Sequence, residues 1–147
     1  MITIAVLAIL SAIAVPSFLD WIPKYRLKGA ASDLFGNMQL AKMTAIENNT
    51  TCSLTFTAAP DRYVVSIPGR TVKTVDMADY GSGVGFIHPE GSQAIPSSPI
   101  QFNSRGMRNP PSSYVYLSNQ KRSAYWRVGA MSSGVIKLHR KIGSDWQ

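Results

Sequence analysis

The chain has 147 residues, a hydrophobic fraction of 45% and a net charge of +7, which agrees with one small exported domain. Its single cysteine excludes an internal disulfide, and one cysteine with two distant histidines does not supply the ligands of a zinc site. We therefore expect neither a metal nor another cofactor. The informative feature is where the apolar residues lie.

The first 19 residues carry no charged side chain. Leaving large apolar side chains in water costs roughly 1.5–3 kcal/mol for each one, so lipid or copies of the same segment must cover them. A cleaved signal peptide needs basic residues before its apolar core, and here the first basic residue is Lys24. The residues that we expect to lie in the membrane and to bundle in an assembly are Ile2, Ile4, Val6, Leu7, Ile9, Leu10, Ile13, Val15, Phe18 and Leu19.

The helical pattern continues beyond the point where a simple membrane anchor would stop. Apolar residues recur every three or four positions up to about Asn48, which predicts an apolar helix over 1–23 that continues as an amphipathic helix over 24–48. At about 1.5 Å per residue, this rod is roughly 70 Å long, which is more than a membrane needs. We expect the second half to dock on a folded domain through Leu27, Leu34, Phe35, Met38 and Ala41.

Pro16 lies inside the apolar part of this helix. A proline in a helix interior removes one backbone hydrogen bond and costs about 3 kcal/mol. Two interpretations stay open. Either Pro16 is a kink of the kind that membrane helices tolerate, or it is a hinge at which the helix extends when subunits pack into a fibre.

Residues 49–147 contain short runs in which apolar and polar side chains alternate, the pattern of β-strands with one buried face. Thr51–Thr57 and Arg62–Ile67 flank an Ala-Pro-Asp turn and are predicted to form a hairpin. Further strands are predicted at Arg70–Val75, Gly83–Ile87, Pro99–Asn103, Ser113–Ser118, Ala124–Gly129 and Val135–Arg140, and an exposed loop at His88–Pro99. The predicted fold class is α+β, with a long N-terminal helix packed on an antiparallel sheet or sandwich domain.

The sequence contains no recognisable catalytic motif. His88 and His139 have no companion nucleophile, and the glycines of 81–85 lack the Lys-Ser/Thr and the helix of a phosphate loop. Cys52 is a lone thiol, which we expect in the core. We therefore expect a protein without catalytic residues and without enzymatic activity.

The run ITIAVLAILSAIAVPSF resembles the N-terminal helix of type IV pilins and of type II secretion pseudopilins. Members of that family begin with a basic leader, a cleaved glycine, an N-methylated phenylalanine and a glutamate, which would stand just before Met1. We therefore expect that the sequence is trimmed at its start. The later runs IQFNSRGM, YVYLSN, YWRVG and SSGVIKL resemble the closing strands of the GspH/FimT-type domain, although the Gly-Arg of that type is Gly134-Val135 here.

The net charge of +7 resides entirely after Ile100. The basic residues there are Arg105, Arg108, Lys121, Arg122, Arg127, Lys137, Arg140 and Lys141, against one acid, Asp145. The ordinary interpretation is a solvated face. The alternative is a polyanion site, in which Arg127, Lys137, Arg140 and Lys141 bind DNA phosphates and Tyr116, Tyr125 and Trp126 stack on bases.

The resemblance implies a structural subunit of a bacterial type IV pilus or type II secretion pseudopilus. Such a subunit is held in the inner membrane by one helix, with its C-terminal domain in the periplasm, and then assembles with other pilin or pseudopilin subunits into a filament. Two alternatives remain: a minor pilin that binds DNA for uptake, and a membrane-anchored periplasmic domain that does not polymerise.

Overall fold

The computed structural model describes residues 2–81, 83–109 and 112–147, with side chains from Trp21 onward. Helix α1 runs from Ile2 to Glu47, 46 residues, and its helical backbone is continuous through Pro16 and Pro23. The apolar and amphipathic segments are thus one element. The side chains of Pro16 and of the residues predicted to lie in the membrane lie outside the described side chains. Over the residues whose side chains are described, no helix has the length and apolar character needed to cross a membrane.

The end of α1 is set by its backbone hydrogen bonds. Asn49 adopts the left-handed conformation, with φ of 46°. Its amide donates to Ile46 O at 3.2 Å, and the amide of Thr50 donates to Ala45 O at 3.0 Å. These two bonds form a Schellman motif, which satisfies carbonyls that would otherwise have no partner and turns the chain toward the first strand.

Nine strands follow the helix in the described part of the chain. They are β1 Cys52–Ala58, β2 Asp61–Ile67, β3 Arg70–Asp76, β4 Val84–Gly85, β5 Ile100–Phe102, β6 Ser113–Asn119, β7 Tyr125–Ala130, β8 Ile136–Ile142 and β9 Asp145–Trp146. Sheet A has the order β3-β2-β1-β5 and sheet B the order β4-β6-β7-β8-β9. All pairs are antiparallel. The predicted α+β class, a long helix packed on antiparallel β-structure, is confirmed.

The hairpin of β1 and β2 lies where the alternation predicts it, with Phe56 opposite Tyr63 and Leu54 opposite Val65. The predicted strand over 83–87 is shorter, since only Val84–Gly85 pairs with β6. Two short elements were not predicted: a 3-10 helix at Met77–Tyr80 and strand β9. Neither is long enough to show a period of its own.

The core lies between one face of α1 and the two sheets, both of which the helix contacts. Its largest fully buried side chains are Tyr63, Phe102, Leu27, Leu34, Met38, Leu54, Met77, Ile100, Leu117, Val65, Val115 and Val128. Cys52 is also fully buried, and this burial raises the pKa of its thiol. A buried, protonated thiol is chemically inert and acts as a small apolar side chain.

The residues predicted to dock the helix lie on its inner face. Leu27, Leu34, Met38 and Ala41 have no exposed surface, and Phe35 is half-buried against the same cluster. Their spacing repeats every three to four residues, so one stripe of α1 supplies all of them.

A polar link lies within the same interface. Asn37 Nδ2 donates to the hydroxyl of Tyr63 at 2.6 Å, and Lys73 Nζ donates to Asn37 Oδ1 at 3.0 Å. The buried amide therefore has partners on two strands of sheet A, so that its burial is compensated by hydrogen bonds.

Two loops meet where α1 passes the ends of the sheets. Gly106 and Gly134 have φ of 72° and 78°, and a Cβ on Gly134 would overlap the carbonyl of Gly106. Lys42 Nζ donates to Gly134 O at 3.0 Å. Only glycine combines this conformation with so close an approach, so Gly134 has a structural role here. The neighbouring Val135 is 49% exposed.

Candidate functional site

Sheet B has two faces that differ in chemistry. Val115, Leu117 and Val128 point toward α1 and are buried in the core. The residues that alternate with them on β6, β7 and β8 point the other way, because successive side chains of a strand lie on opposite faces. We call this second surface the outer face; it consists of Tyr114, Tyr116, Tyr125, Arg127, Lys137, His139, Lys141 and Trp146.

Arg127 lies at the centre of the outer face, between two aromatic rings. Its guanidinium carbon is 4.5 Å from the ring centroid of Tyr114 and 4.5 Å from that of Trp146. Such contacts fix the plane of the guanidinium through cation–π attraction. Arg127 Nε is buried and has no hydrogen-bond partner among the described residues. The side chain is thus held in place while part of its donor capacity is unused.

Further aromatic contacts extend from this pair of rings. The rings of Tyr116 and Trp146 meet edge to face at 5.6 Å, and His88 packs on Tyr116 at 4.3 Å. His139 lies 6.2 Å from Tyr114. Burial, with the nearby charges of Arg127 and Lys137, lowers the pKa of His139. His139 therefore adds an aromatic ring whose charged form is disfavoured.

Two lysines border the aromatic part of the outer face. Lys137 is exposed, and Lys141 Nζ lies 5.9 Å from the ring centroid of Tyr125. Three of the four basic residues proposed for DNA, namely Arg127, Lys137 and Lys141, are therefore on one surface. Flat rings beside fixed cations can stack on planar groups and neutralise anions.

The fourth residue, Arg140, lies on the opposite face of sheet B. Arg140 is paired with Trp126 across β7 and β8, and Trp126 packs against the core on the helix side. The grouping of Arg140 with Lys137 and Lys141, and of Trp126 with Tyr116 and Tyr125, was therefore wrong. In a strand of period two, residue 140 cannot share a face with 137, 139 and 141.

Arg140 instead lines a groove between sheet B and α1, with a volume of about 330 Å³. We call it the helix–sheet groove; it is lined by Trp21, Lys24, Tyr25, Lys28, Ala124, Trp126 and Arg140. The helix contributes two aromatic rings and two cations, and the sheet contributes one of each. It is a second aromatic and basic surface, separate from the outer face.

Arg108 is part of the fold, although the sequence groups it with the basic surface residues. It is 6% exposed, and its guanidinium donates to Ala130 O at 3.0 Å and to Ser113 Oγ at 2.7 Å. Desolvation lowers the pKa of Arg108. These bonds join the end of sheet B to the loop after β5, so Arg108 is not available to a ligand.

No three His, Cys, Asp or Glu side chains gather where they could hold a metal ion, as far as the described residues go. His88 packs edge to face on Tyr116, and its Nδ1 accepts a hydrogen bond from the amide of Glu90 at 3.1 Å. It therefore stabilises the loop after β4 rather than facing a nucleophile.

Several residues of these surfaces were not anticipated. Tyr114 and Trp146 complete the outer face, and Trp21, Lys24 and Lys28 the helix–sheet groove. Alternation along β6 would have placed Tyr114 with Tyr116. Trp146 lies on a two-residue strand, and Lys24 meets Arg140 only through the tertiary fold, so neither was accessible to local patterns.

Known proteins were compared with the chain at the levels of sequence and structure. No protein-family model matches it, and no curated protein matches its sequence. A solved structure does match: the type IV minor pilin FimU of Pseudomonas aeruginosa strain PAO1, with a TM-score of 0.61 and 14% identity. The match covers 84% of this chain and 94% of that chain. The chain therefore has the fold of a type IV pilin, one long helix packed on antiparallel sheets.

Proposed function

We propose that the protein is a non-enzymatic structural subunit of a bacterial type IV pilus or of the related type II secretion pseudopilus. The observation that carries this proposal is that the two parts of α1 differ in what they are suited to contact. From Leu27 onward one face of the helix is built into the core, whereas its first 19 residues carry no charge and the same helix continues through them. A helix of this kind is suited to bundling with its copies, because apolar surface is then kept from water.

The outward face of α1 supports assembly. Leu40, Met43 and Ile46 are 39%, 57% and 48% exposed. Near the middle of the helix, Gly29 and Gly36 have open space where a Cβ would stand. Glycines let a neighbouring helix approach closely, and the apolar side chains beside them can then pack against it.

The finer assignments follow from the N-terminal and C-terminal resemblances. The subunit would belong to the GspH/FimT type, would lose a leader and be methylated at its mature N-terminus, and would wait in the inner membrane with its sheets in the periplasm. Its partners would be other pilin or pseudopilin subunits.

A charge placed in the apolar segment tests the proposal. Leu10→Lys should remove the subunit from sheared surface filaments and reduce its amount in the membrane fraction, because a central lysine costs about 2.5–3.5 kcal/mol on insertion scales. Ser92→Lys, which adds the same charge at an exposed position of the loop between β4 and β5, should leave both unchanged. Failure to find the unmodified chain in either filaments or pseudopili would contradict assembly.

A second candidate function is DNA binding by the same subunit at the outer face of sheet B. The observation that favours it is Arg127 fixed between Tyr114 and Trp146, with lysines at the border. Aromatic rings stack on bases of any sequence, and lysines neutralise phosphates.

A further inference from the structure

The helix–sheet groove lies at a defined height relative to the apolar segment. A bilayer has about 30 Å of hydrocarbon within about 40–45 Å in total, which leaves a headgroup layer of roughly 5–8 Å on each side. At about 1.5 Å per residue, Trp21 and Lys24 lie roughly 3 and 8 Å beyond Leu19 along α1. If the hydrocarbon ends near Leu19, these two residues are at headgroup level.

The groove is positive. Lys24, Lys28 and Arg140 line it, and among the lining residues from Trp21 onward, whose side chains the structure describes, none is acidic. Within the described part of the chain, none of these three cations is in a salt bridge. Asp33, also on α1, instead accepts a hydrogen bond from the hydroxyl of Tyr80 at 2.8 Å. The charge of the groove is thus available to an anion.

Its aromatic residues suit a membrane interface. The rings of Trp21 and Tyr25 stack at 5.1 Å, and the two residues are 55% and 62% exposed. Large rings with one polar group are favoured where hydrocarbon meets water, since both parts are then satisfied. Trp126 closes the groove from the sheet side.

We propose that the helix–sheet groove binds the headgroup of an anionic phospholipid, such as phosphatidylglycerol, in the leaflet from which α1 emerges. Lys24 and Arg140 would bind the phosphate, and Trp21 would lie against the glycerol and upper acyl chain. Lys28, whose backbone lies about 14 Å beyond Leu19, would add to the positive potential above the headgroup. This inference rests on the proposed function in one respect, that residues 1–19 lie in a membrane. The groove would hold the β-structure at a fixed height above the bilayer before assembly.

Lipid binding by the full chain in uncharged detergent micelles tests this inference. Native mass spectrometry would count bound short-chain phosphatidylglycerol and phosphatidylcholine at matched concentrations. We expect preferential binding of phosphatidylglycerol, and a reduction of about tenfold or more when Lys24, Lys28 and Arg140 are all replaced by glutamine, because each cation near an anionic surface contributes. The control replaces three exposed cations elsewhere, Arg70, Arg105 and Arg122, by glutamine and should bind as the parent does.

Three outcomes would overturn the inference: equal binding of the two lipids, an equal loss in the control, or displacement of phosphatidylglycerol by the same concentration of inorganic phosphate. The variant Lys24→Arg with Lys28→Arg should retain binding, which separates charge from folding. If the chain does not sediment with membranes, the proposed function fails. A membrane-held chain without preference for phosphatidylglycerol contradicts only the lipid site.

Discussion

At the scale of single residues, the interface between α1 and sheet A depends on a few buried side chains whose environment is unambiguous. Tyr63 is fully buried, with its hydroxyl bonded to Asn37, and this burial raises its pKa to about 12. Leu34 is also fully buried. Tyr63 makes stability depend on pH, and substitution of Leu34 measures the contribution of apolar packing.

Alkaline stability should depend on Tyr63. Its pKa rises from 10 to about 12 on folding, so the unfolded chain loses this proton first and stability falls as the pH rises through that window. The part of the loss due to Tyr63 should be about 2–3 kcal/mol by pH 12, since one pKa unit corresponds to about 1.4 kcal/mol. Tyr80, whose pKa burial also raises, adds to the loss in the parent chain. Free energies of unfolding at pH 8 to 12 would measure it on a fragment that starts at Lys24.

Tyr63→Phe should be less stable than the parent at pH 8, because Asn37 loses an acceptor, but should lose less stability above pH 10. Tyr25→Phe, at an exposed ring, is the control and should keep the parent's pH dependence. Parallel curves for the parent and Tyr63→Phe would show that Tyr63 is not the responsible group.

Leu34→Ala should destabilise the fold by about 2–5 kcal/mol, because it removes buried carbons and leaves a cavity between α1 and the sheets. Leu40→Ala makes the same chemical change on the exposed side of the same helix and should stay within about 0.5 kcal/mol of the parent. Denaturant unfolding of the fragment from Lys24 would measure both. A free energy of unfolding unmoved by Leu34→Ala would mean that this stripe of the helix does not carry the core.

At the scale of elements, local periodicity predicts whether a segment is a helix or a strand better than it predicts which other elements the segment contacts. Leu54, Tyr63 and Val65 alternate with polar residues, and their strands lie where that alternation places them. Strand β8 illustrates the limit: a count of basic residues grouped Arg140 with Lys141, whereas the pleat puts them on opposite faces. The groove beside Arg140 also needs α1, which only the tertiary fold brings near.

The Pro16 interpretations make different predictions for an assembled filament. In the isolated chain the helical backbone continues through Pro16. If Pro16 is a hinge, a filament reconstruction should show the helical hydrogen bonding lost within one or two turns before it, because proline lacks a donor and clashes with the preceding turn. Pro16→Ala should then restore a continuous helix. An unbroken helix from Ile4 to Leu19 in the filament of the parent chain would exclude the hinge and leave the interpretation of Pro16 as a tolerated kink.

At the scale of the whole molecule, the basic residues after Ile100 are divided among the outer face, the helix–sheet groove, the buried Arg108 and other exposed positions such as Arg105 and Arg122. Composition predicted that the C-terminal part is basic but not this division, because strand pairing and the position of α1 decide it. Each surface therefore needs its own test, with cations elsewhere on the chain as controls.

DNA binding at the outer face should depend strongly on salt. Each neutralised phosphate contributes a log–log slope of about −0.9 on duplex DNA and about −0.7 on single strands. Replacing Lys137 and Lys141 together by alanine should weaken binding for all DNA sequences alike. It should also flatten the log–log slope of affinity against salt by roughly the contribution of two phosphates. Replacing Arg70 and Arg105, both exposed and neither part of the outer face, removes equal charge and is the control. Labelled DNA and a series of salt concentrations suffice.

No shift of labelled DNA at low salt, even at tens of micromolar protein, would contradict this second function, since non-specific binding falls at roughly 10⁻⁴–10⁻⁶ M. An equal loss in the control would show general attraction to a basic protein rather than a site. In either case the outer face is a solvated surface or complements an acidic neighbour in a filament.

Sheet B packs against α1 with one side and presents the outer face on the other, and this arrangement has a consequence for any assembly of the subunit. If helices gather at a common axis, the buried faces of the sheets look inward and Arg127 with its two rings looks toward the medium. Every copy would then display the same aromatic and basic patch on the surface of the fibre. A soluble probe directed at Trp146 should reach it in intact filaments, and a Trp146 shielded there would contradict this arrangement.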